Sequence, residues 1–117
     1  MTASLEITLD STEPEKTAAF WQEALGYRHL YTREPYIVIG PPKGDSRPRL
    51  VIQRVDQVTA AKTPVHLDLR VDDIDWEVVR LTALGAKVEW DINEEWTHWT
   101  TMSDPDGILF CVCPARS

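Results

Sequence analysis

The sequence lacks long hydrophobic runs and an excess of positive charge. None of its apolar runs approaches the roughly 20 residues that span a bilayer, so no membrane span is expected. The N-terminus, MTASLEITLD, has no basic segment followed by an apolar stretch, so we expect no signal peptide. The formal net charge is −7 and no basic patch is evident, which argues against nucleic acid as a partner. The composition predicts a small soluble domain.

Cysteine is scarce, and glycine-rich phosphate loops are missing. The two cysteines, Cys111 and Cys113, lie two apart in a predicted strand. Their side chains would point to one face and lie about 7 Å apart. A disulfide needs a Cβ separation of about 4 Å. We therefore expect free thiols, which together with the missing signal peptide indicates the cytoplasm. Without a phosphate loop, no nucleotide cofactor is expected.

What the chain does contain is a repeat. Apolar and polar residues alternate from Leu5 to Leu9 and again from Val65 to Val71, as in half-buried strands, at an offset of 60. Each strand is followed by an amphipathic helical pattern that ends in Leu-Gly, at 25–26 and at 84–85. Strand, helix and Leu-Gly exit thus recur in the same order at nearly the same spacing.

The two helices begin at acidic or hydroxyl side chains. Thr12 and Glu15 have the spacing of a capping box, and the second helix begins after Asp72 and Asp73. Apolar stripes then predict the buried faces. These stripes are Thr17, Phe20, Trp21, Ala24 and Leu25 in the first helix, and Ile74, Val78, Leu81 and Leu84 in the second.

Three more strands are predicted after each helix. They are Tyr27 to Tyr31, Tyr36 to Ile39 and Leu50 to Val55, then Ala86 to Asp91, His98 to Met102 and Ile108 to Cys113. The sequence therefore predicts an α+β fold of two βαβββ modules in a single domain, 1–117. Module one is 1–55, the linker is 56–64 and module two is 65–117. We expect a curved, mixed and mostly antiparallel sheet around a cavity, lined by residues that alternate with the core positions.

Particular motifs resemble a known superfamily. These are Phe20-Trp21, Leu25-Gly26, the segment HLDLRVDDIDWEVVRLTALGAKV from His66, and DPDGILFCV from Asp104. Over nearly the whole chain they are similar to the glyoxalase / bleomycin-resistance / extradiol-dioxygenase (vicinal oxygen chelate) superfamily. They most resemble its glyoxalase-like subgroup, found often in bacteria. The resemblance implies the paired-module fold, a homodimer and a small-molecule ligand.

The resemblance also implies a metal site. Metal-dependent members place four ligands on the first and last strands of their modules, which by motif are Glu6, Gln53, His66 and Cys111. The ion would be divalent, with zinc, iron, nickel and manganese as candidates. Cys111 stands where relatives usually carry glutamate, so we expect poor glyoxalase I activity.

Each site residue has a plainer alternative. The alternative for His66 is a hydrogen-bonded pocket residue beside Asp68, and the alternative for Glu6 is a carboxylate exposed at the rim of a strand. Gln53 would then be a polar strand residue, and Cys111 a buried apolar residue. Glu6 is also the candidate catalytic acid or base. The candidate ligand-binding residues are Trp96, Trp99, His98 and Trp21. The alternative for these aromatic residues is a core or a dimer interface.

Two classes of function follow. One is a divalent-metal-dependent lyase, isomerase or dioxygenase-type enzyme acting on a small molecule. The other is a non-catalytic protein of the bleomycin-resistance type that sequesters a cationic aromatic ligand. Retention of a stoichiometric metal ion distinguishes them.

Overall fold

The protein contains the predicted βαβββ pattern twice. The computed structural model describes residues 3–58, 64–94 and 97–116. Module one contains β1 (Ser4–Ser11), α1 (Pro14–Leu25), β2 (Arg28–Arg33), β3 (Tyr36–Gly40) and β4 (Arg49–Arg54). Module two contains β5 (Val65–Val71), α2 (Ile74–Ala83), β6 (Lys87–Glu94), β7 (Thr97–Ser103) and β8 (Leu109–Pro114). The element order and the α+β class are confirmed.

Each module forms four neighbouring strands of a mixed sheet with the same internal order. In module one the order is β2-β3-β4-β1, with β1 and β4 parallel and the other neighbours antiparallel. In module two it is β6-β7-β8-β5, with β5 and β8 parallel and the other neighbours antiparallel. The first strand of each module therefore pairs with the last, and this brings the predicted ligand positions of one module onto adjacent strands.

Each module has its own hydrophobic core between its helix and one face of its strands. In module one, Ile39 and Ile52 are fully buried beside Ala18 of α1, and Trp21 and Leu25 pack against them. In module two, Met102 and Val112 are fully buried with Val71 and Ile74. The chain divides into two compact units, residues 6–66 and residues 67–117 with residues 1–5, and the boundaries fall inside β1 and inside β5.

Three residues predicted on the buried helical stripes are exposed. Phe20 is 63% exposed, Leu84 is 66% exposed and Ala24 is exposed as well, so their assignment to the buried stripes was wrong. The buried face of α1 follows the spacing Ala18, Trp21 and Leu25, and Phe20 lies about 100° away from it around the helix axis. Leu84 is the residue that caps α2 at its C-terminal end, beyond the last helical turn. Among the described helices, neither is long and apolar enough to cross a membrane.

A buried carboxylate lies on α2. The Glu77 side chain is 1% exposed and accepts a hydrogen bond of 2.6 Å from Nε of Arg80, one turn later on the same helix. An ion pair of this kind offsets part of the cost of burying the charge. The apolar pattern of the sequence did not predict a charged residue on this face.

The two helices begin differently. At α2 the Asp73 side chain accepts a hydrogen bond of 3.0 Å from the backbone N–H of Trp76, as expected for an N-cap aspartate. The capping box predicted for α1 was wrong, because the N-cap residue is Glu13 and makes no side-chain capping bond. Glu15 instead accepts a bond of 2.6 Å from Arg54, which is far away in the sequence.

This difference between the caps predicts different effects of two alanine substitutions. Asp73→Ala removes a side-chain cap and should lower the free energy of unfolding by about 1 kcal/mol. Glu13→Ala removes a carboxylate that makes no cap bond, and should change the free energy of unfolding by less than about 0.5 kcal/mol. Urea unfolding of the two variants beside the wild type gives both values. Equal losses would contradict the assignment of Asp73 as the stabilising cap.

Candidate functional site

Module one presents polar residues on the face of its strands away from α1. In β1, Ile7 and Leu9 pack toward the helix-side core, so the alternating residues Glu6 and Asp10 point to the other face. Asp10 pairs in register with Gln53 of β4, which places these two side chains on that same face. Glu6 is 3% exposed, so its carboxylate is buried rather than exposed at a strand rim. Strand alternation thus gives Glu6 and Gln53 a common face.

His66 lies near the start of β5, beside an acidic residue of β1. Its Nε2 atom is 3.8 Å from Oδ1 of Asp10, and the imidazole side chain is about three-quarters buried. When the imidazole is protonated, this distance is that of an ion pair. His66 alternates with Leu67 and Leu69, so it shares a strand face with Asp68.

Asp68 and Cys111 are register partners on the parallel strands β5 and β8. Asp68 is buried, and the Cys111 Sγ atom lies 3.6 Å from Oγ1 of Thr101 on β7. Burial raises the pKa of the Cys111 thiol above its ordinary value, the hydrogen bond with Thr101 opposes this shift, and the nearby Asp68 charge adds to it. Without a bound cation, Cys111 is therefore held as the neutral thiol near pH 7.

Three potential metal ligands meet on β5 and β8. One ligand atom from each of His66, Asp68 and Cys111 lies within 4.8 Å of the others, and we call these three residues the β5–β8 cluster. Imidazole nitrogen, carboxylate oxygen and thiolate sulfur together suit zinc or iron better than magnesium or calcium. Ligand atoms around a tetrahedral zinc ion lie about 3.3–3.8 Å apart, given bonds of about 2.0–2.3 Å. The three ligand atoms, within 4.8 Å of one another, would therefore have to approach by about 1 Å to reach the separations of such a site.

The cluster differs from the four ligands expected from the sequence. It contains His66 and Cys111, and adds Asp68, which the sequence suggested as a partner for His66 and not as a ligand. Glu6 and Gln53 are not part of it, and their roles as ligands stay predictions. The signal for Asp68 was present, since it lies two residues from His66 and so shares its strand face, but its pairing with Cys111 depends on the register of two distant strands.

The predicted ligand-binding residues are dispersed. Trp21 packs against the core on the helix side of module one, where its ring contacts Phe20 edge to face at 5.1 Å. His98 and Trp99 are neighbours on β7 and therefore point to opposite faces. Trp99 shares the face of Thr101 and Cys111, away from α2. Trp96 lies outside the described residues.

His98 lies on the helix side of β7, near the start of α2. Its Nε2 atom is 3.3 Å from Oδ1 of Asp91, which also accepts a hydrogen bond of 2.7 Å from Thr100. An open cavity of about 330 Å³ is lined by His98 with Asp72, Asp73, Ile74, Asp75 and Pro114. His98 and the β5–β8 cluster therefore lie on opposite faces of the module two strands.

Comparisons with known proteins agree with this architecture. An NAD-dependent benzaldehyde dehydrogenase structure from Legionella pneumophila superposes with a TM-score of 0.71 at 11% identity, covering 96% of this chain and 99% of that one. A glyoxalase/bleomycin resistance protein/dioxygenase superfamily member from Vibrio splendidus gives 0.61 at 18% identity, covering 97% and 99%. Streptomyces coelicolor methylmalonyl-CoA epimerase in complex with 2-nitronate-propionyl-CoA gives 0.65 at 14% identity, covering 100% and 99%. At these identities the likeness shows the fold alone.

Family membership rests on a sequence comparison. The curated proteins include no match to this chain. The glyoxalase-like domain family, in contrast, matches residues 6–113, which span most of both modules and include every residue of the β5–β8 cluster. This chain belongs to the glyoxalase-like domain family.

Proposed function

We propose that the protein is a metal-dependent lyase or isomerase acting on a small molecule, with a divalent ion held by His66, Asp68 and Cys111. The observation that supports this is the approach of their three ligand atoms to within 4.8 Å of one another. Three protein ligands leave coordination positions for a substrate, as in catalytic rather than structural zinc sites. Zinc and iron(II) are the proposed ions, because a thiolate and an imidazole are both in the set.

A divalent ion in this position supplies Lewis acidity to oxygen atoms of a bound substrate. The protein's own residues supply ligands and proton transfer. The Thr101 hydroxyl, 3.6 Å from Cys111 Sγ, holds the sulfur in place. We retain Glu6 as the proposed residue that accepts and returns a proton, since its carboxylate is buried on the helix-free face of module one. A lyase or isomerase needs such a group, whereas a dioxygenase depends on redox-active iron.

A second candidate function is binding without chemistry. Trp90 on β6 is 51% exposed, and the chain carries a net charge of −7. An exposed indole on an acidic protein is suited to a cationic aromatic ligand, the class proposed for bleomycin-resistance relatives. In this case the three residues of the β5–β8 cluster would be ordinary pocket or core residues, and the purified protein would hold no metal.

The location and assembly are also proposals. Cys111 and Cys113 are not joined in a disulfide, which is consistent with the cytoplasm, where thiols stay reduced. A homodimer is supported by exposed apolar side chains, among them Phe20, Leu84 and Ile108, which a second copy would cover.

Metal analysis tests the proposed function. Protein equilibrated with zinc and then dialysed should retain about one ion per chain by elemental analysis, since three ligands of this type bind zinc tightly. The triple variant His66→Ala, Asp68→Ala and Cys111→Ala should retain none while remaining folded by circular dichroism. A wild-type protein that loses all its zinc on dialysis would favour the binding protein instead.

A further inference from the structure

A buried carboxylate lies beside the imidazole of the β5–β8 cluster. The Asp10 side chain is 8% exposed, and its Oδ1 atom is 3.8 Å from Nε2 of His66. Among the described residues, the ligand atoms that meet within 4.8 Å of one another come from His66, Asp68 and Cys111, and Asp10 is not one of them. Asp10 therefore lies close to the ring of His66 without joining the group of candidate ligands.

Two backbone contacts hold Asp10 near His66. The backbone N–H of Asp10 donates a hydrogen bond of 2.8 Å to the carbonyl oxygen of Pro64, two residues before His66. Asp10 also pairs in register with Gln53 on the parallel strand β4. Asp10 and His66 belong to the same compact unit, residues 6–66. Because both residues lie on strands, the carboxylate has a defined position relative to the ring.

The two nitrogens of the His66 ring have different surroundings. Nε2 lies beside the Asp10 carboxylate, whereas Nδ1 is buried. A neutral imidazole carries a proton on one nitrogen and binds a metal ion through the other. A carboxylate that accepts a hydrogen bond from one nitrogen decides where the proton is held. With Asp10 on the Nε2 side, Nδ1 is the nitrogen that remains for an ion.

The separation between the carboxylate and the ring must shorten when an ion binds. A hydrogen bond between a nitrogen donor and a carboxylate is about 2.7–2.9 Å long, so Nε2 and Oδ1 have to approach by about 1 Å. The atoms of the β5–β8 cluster need an approach of the same size to reach zinc distances. Burial favours the closer contact, since the Asp10 carboxylate has little access to water and gains a donor from the ring N–H.

We propose that Asp10 is a positioning residue whose carboxylate accepts a hydrogen bond from the Nε2–H of His66, fixes the tautomer and orientation of the ring, and directs Nδ1 to the divalent ion. This inference rests on the proposed function, because the β5–β8 cluster must hold the ion. Asp10 does not touch the ion. It raises the affinity through His66, by limiting the orientations of the ring and by making the imidazole a stronger base.

A double-mutant cycle on zinc affinity tests the role of Asp10. Asp10→Ala should weaken zinc binding about 10–100-fold, measured by competition with a chromophoric chelator. Asp10→Asn keeps an oxygen that accepts from the Nε2–H, and should recover most of the loss. In the His66→Ala background, Asp10→Ala should change the affinity less than about threefold, because the ring through which it acts is gone. Equal losses in the two backgrounds, or no loss in either, would overturn the proposal.

Asp91 provides the matched control. It forms the same kind of pair, with its Oδ1 atom 3.3 Å from Nε2 of His98. That pair lies on the helix side of the module two strands, away from the β5–β8 cluster. Asp91→Ala should therefore leave the zinc affinity unchanged.

Nitrogen chemical shifts of the wild-type protein give a readout that needs no variant. In zinc-loaded protein with isotope-labelled histidine rings, His66 should show zinc on Nδ1 and a proton on Nε2. Zinc on Nε2 would overturn the role of Asp10 and leave the metal site in place. A wild-type protein that retains no zinc would overturn the proposed function, and this proposal with it.

Discussion

Cys111→Ser is expected to weaken zinc binding at least about a hundredfold, since loss of an outer-sphere partner alone costs about 10–100-fold. The alcohol of serine does not ionise near neutral pH and is a poor zinc ligand, whereas the thiol becomes a thiolate when it binds. The affinity is measured at pH 7.5 by competition with a chromophoric zinc chelator. His66 and Asp68 remain in this variant, so residual binding is expected.

Cys113→Ser is the matched control for this prediction. Cys113 lies on the same face of β8, two residues further along, and is buried, whereas Cys111 is half-buried; Cys113 is not part of the β5–β8 cluster. Its replacement should change the zinc affinity less than about threefold if the metal binds where we propose. Equal losses from the two substitutions would indicate a general effect of serine in β8, and the ligand assignment of Cys111 would be withdrawn.

The pH dependence of zinc affinity gives a second readout. Burial raises the pKa of the Cys111 thiol, so zinc must displace a proton from sulfur at neutral pH. The wild-type affinity should therefore rise between pH 7 and 8.5, by up to about tenfold per unit for one displaced proton. Cys111→Ser should lose this rise, because no thiol proton remains to be displaced.

Ile52→Ala is expected to lower the free energy of unfolding by about 3 kcal/mol. Ile52 is fully buried on β4, in one core cluster with Ile39 and with Ala18 of α1, and removing its side chain leaves a cavity in addition to the lost burial. A loss of this size is a large share of the stability of an ordinary domain. The measurement is urea unfolding followed by circular dichroism. Ile52→Val should cost about 1 kcal/mol, and keeps the series measurable if alanine prevents folding.

Val79→Ala is the control on a helix surface. Val79 is 71% exposed on α2, so its truncation should change the free energy of unfolding by less than about 0.5 kcal/mol. A large loss at Val79, or a small one at Ile52, would contradict the core of module one as described.

The architecture was predictable because its signals are local. The alternation at β1 and β5, and the glycines that end the helices, depend on residues within a few positions of one another. Gly26 has a φ of 69°, in the left-handed region where glycine carries no steric penalty, which is why Leu-Gly marked the end of α1 correctly. The assignment of Phe20 failed because one position around a helix separates a buried side chain from an exposed one.

The candidate site was predictable in part. Alternation alone put His66 and Asp68 on one strand face, and the family resemblance indicated Cys111. The neighbours of Cys111 were not predictable, because they depend on the parallel register of β5 with β8 and on the antiparallel register of β7 with β8. Nothing within a few residues of Cys111 encodes those registers. The partner of Glu15 was not predictable for the same reason, because Arg54 lies 39 positions away in the sequence.

The parallel pairing of first and last strands has a consequence for how each module folds. Glu6 pairs with Arg49 and Asp68 pairs with Cys111, and in both modules the partners are 43 positions apart. The hairpins formed by β2 to β4 and by β6 to β8 are local and can form early, whereas β1 and β5 must wait for a distant strand. During synthesis, the strands that carry Glu6, His66 and Asp68 are thus made first in their modules and paired late. The residues of the candidate site come together in the slow, long-range step.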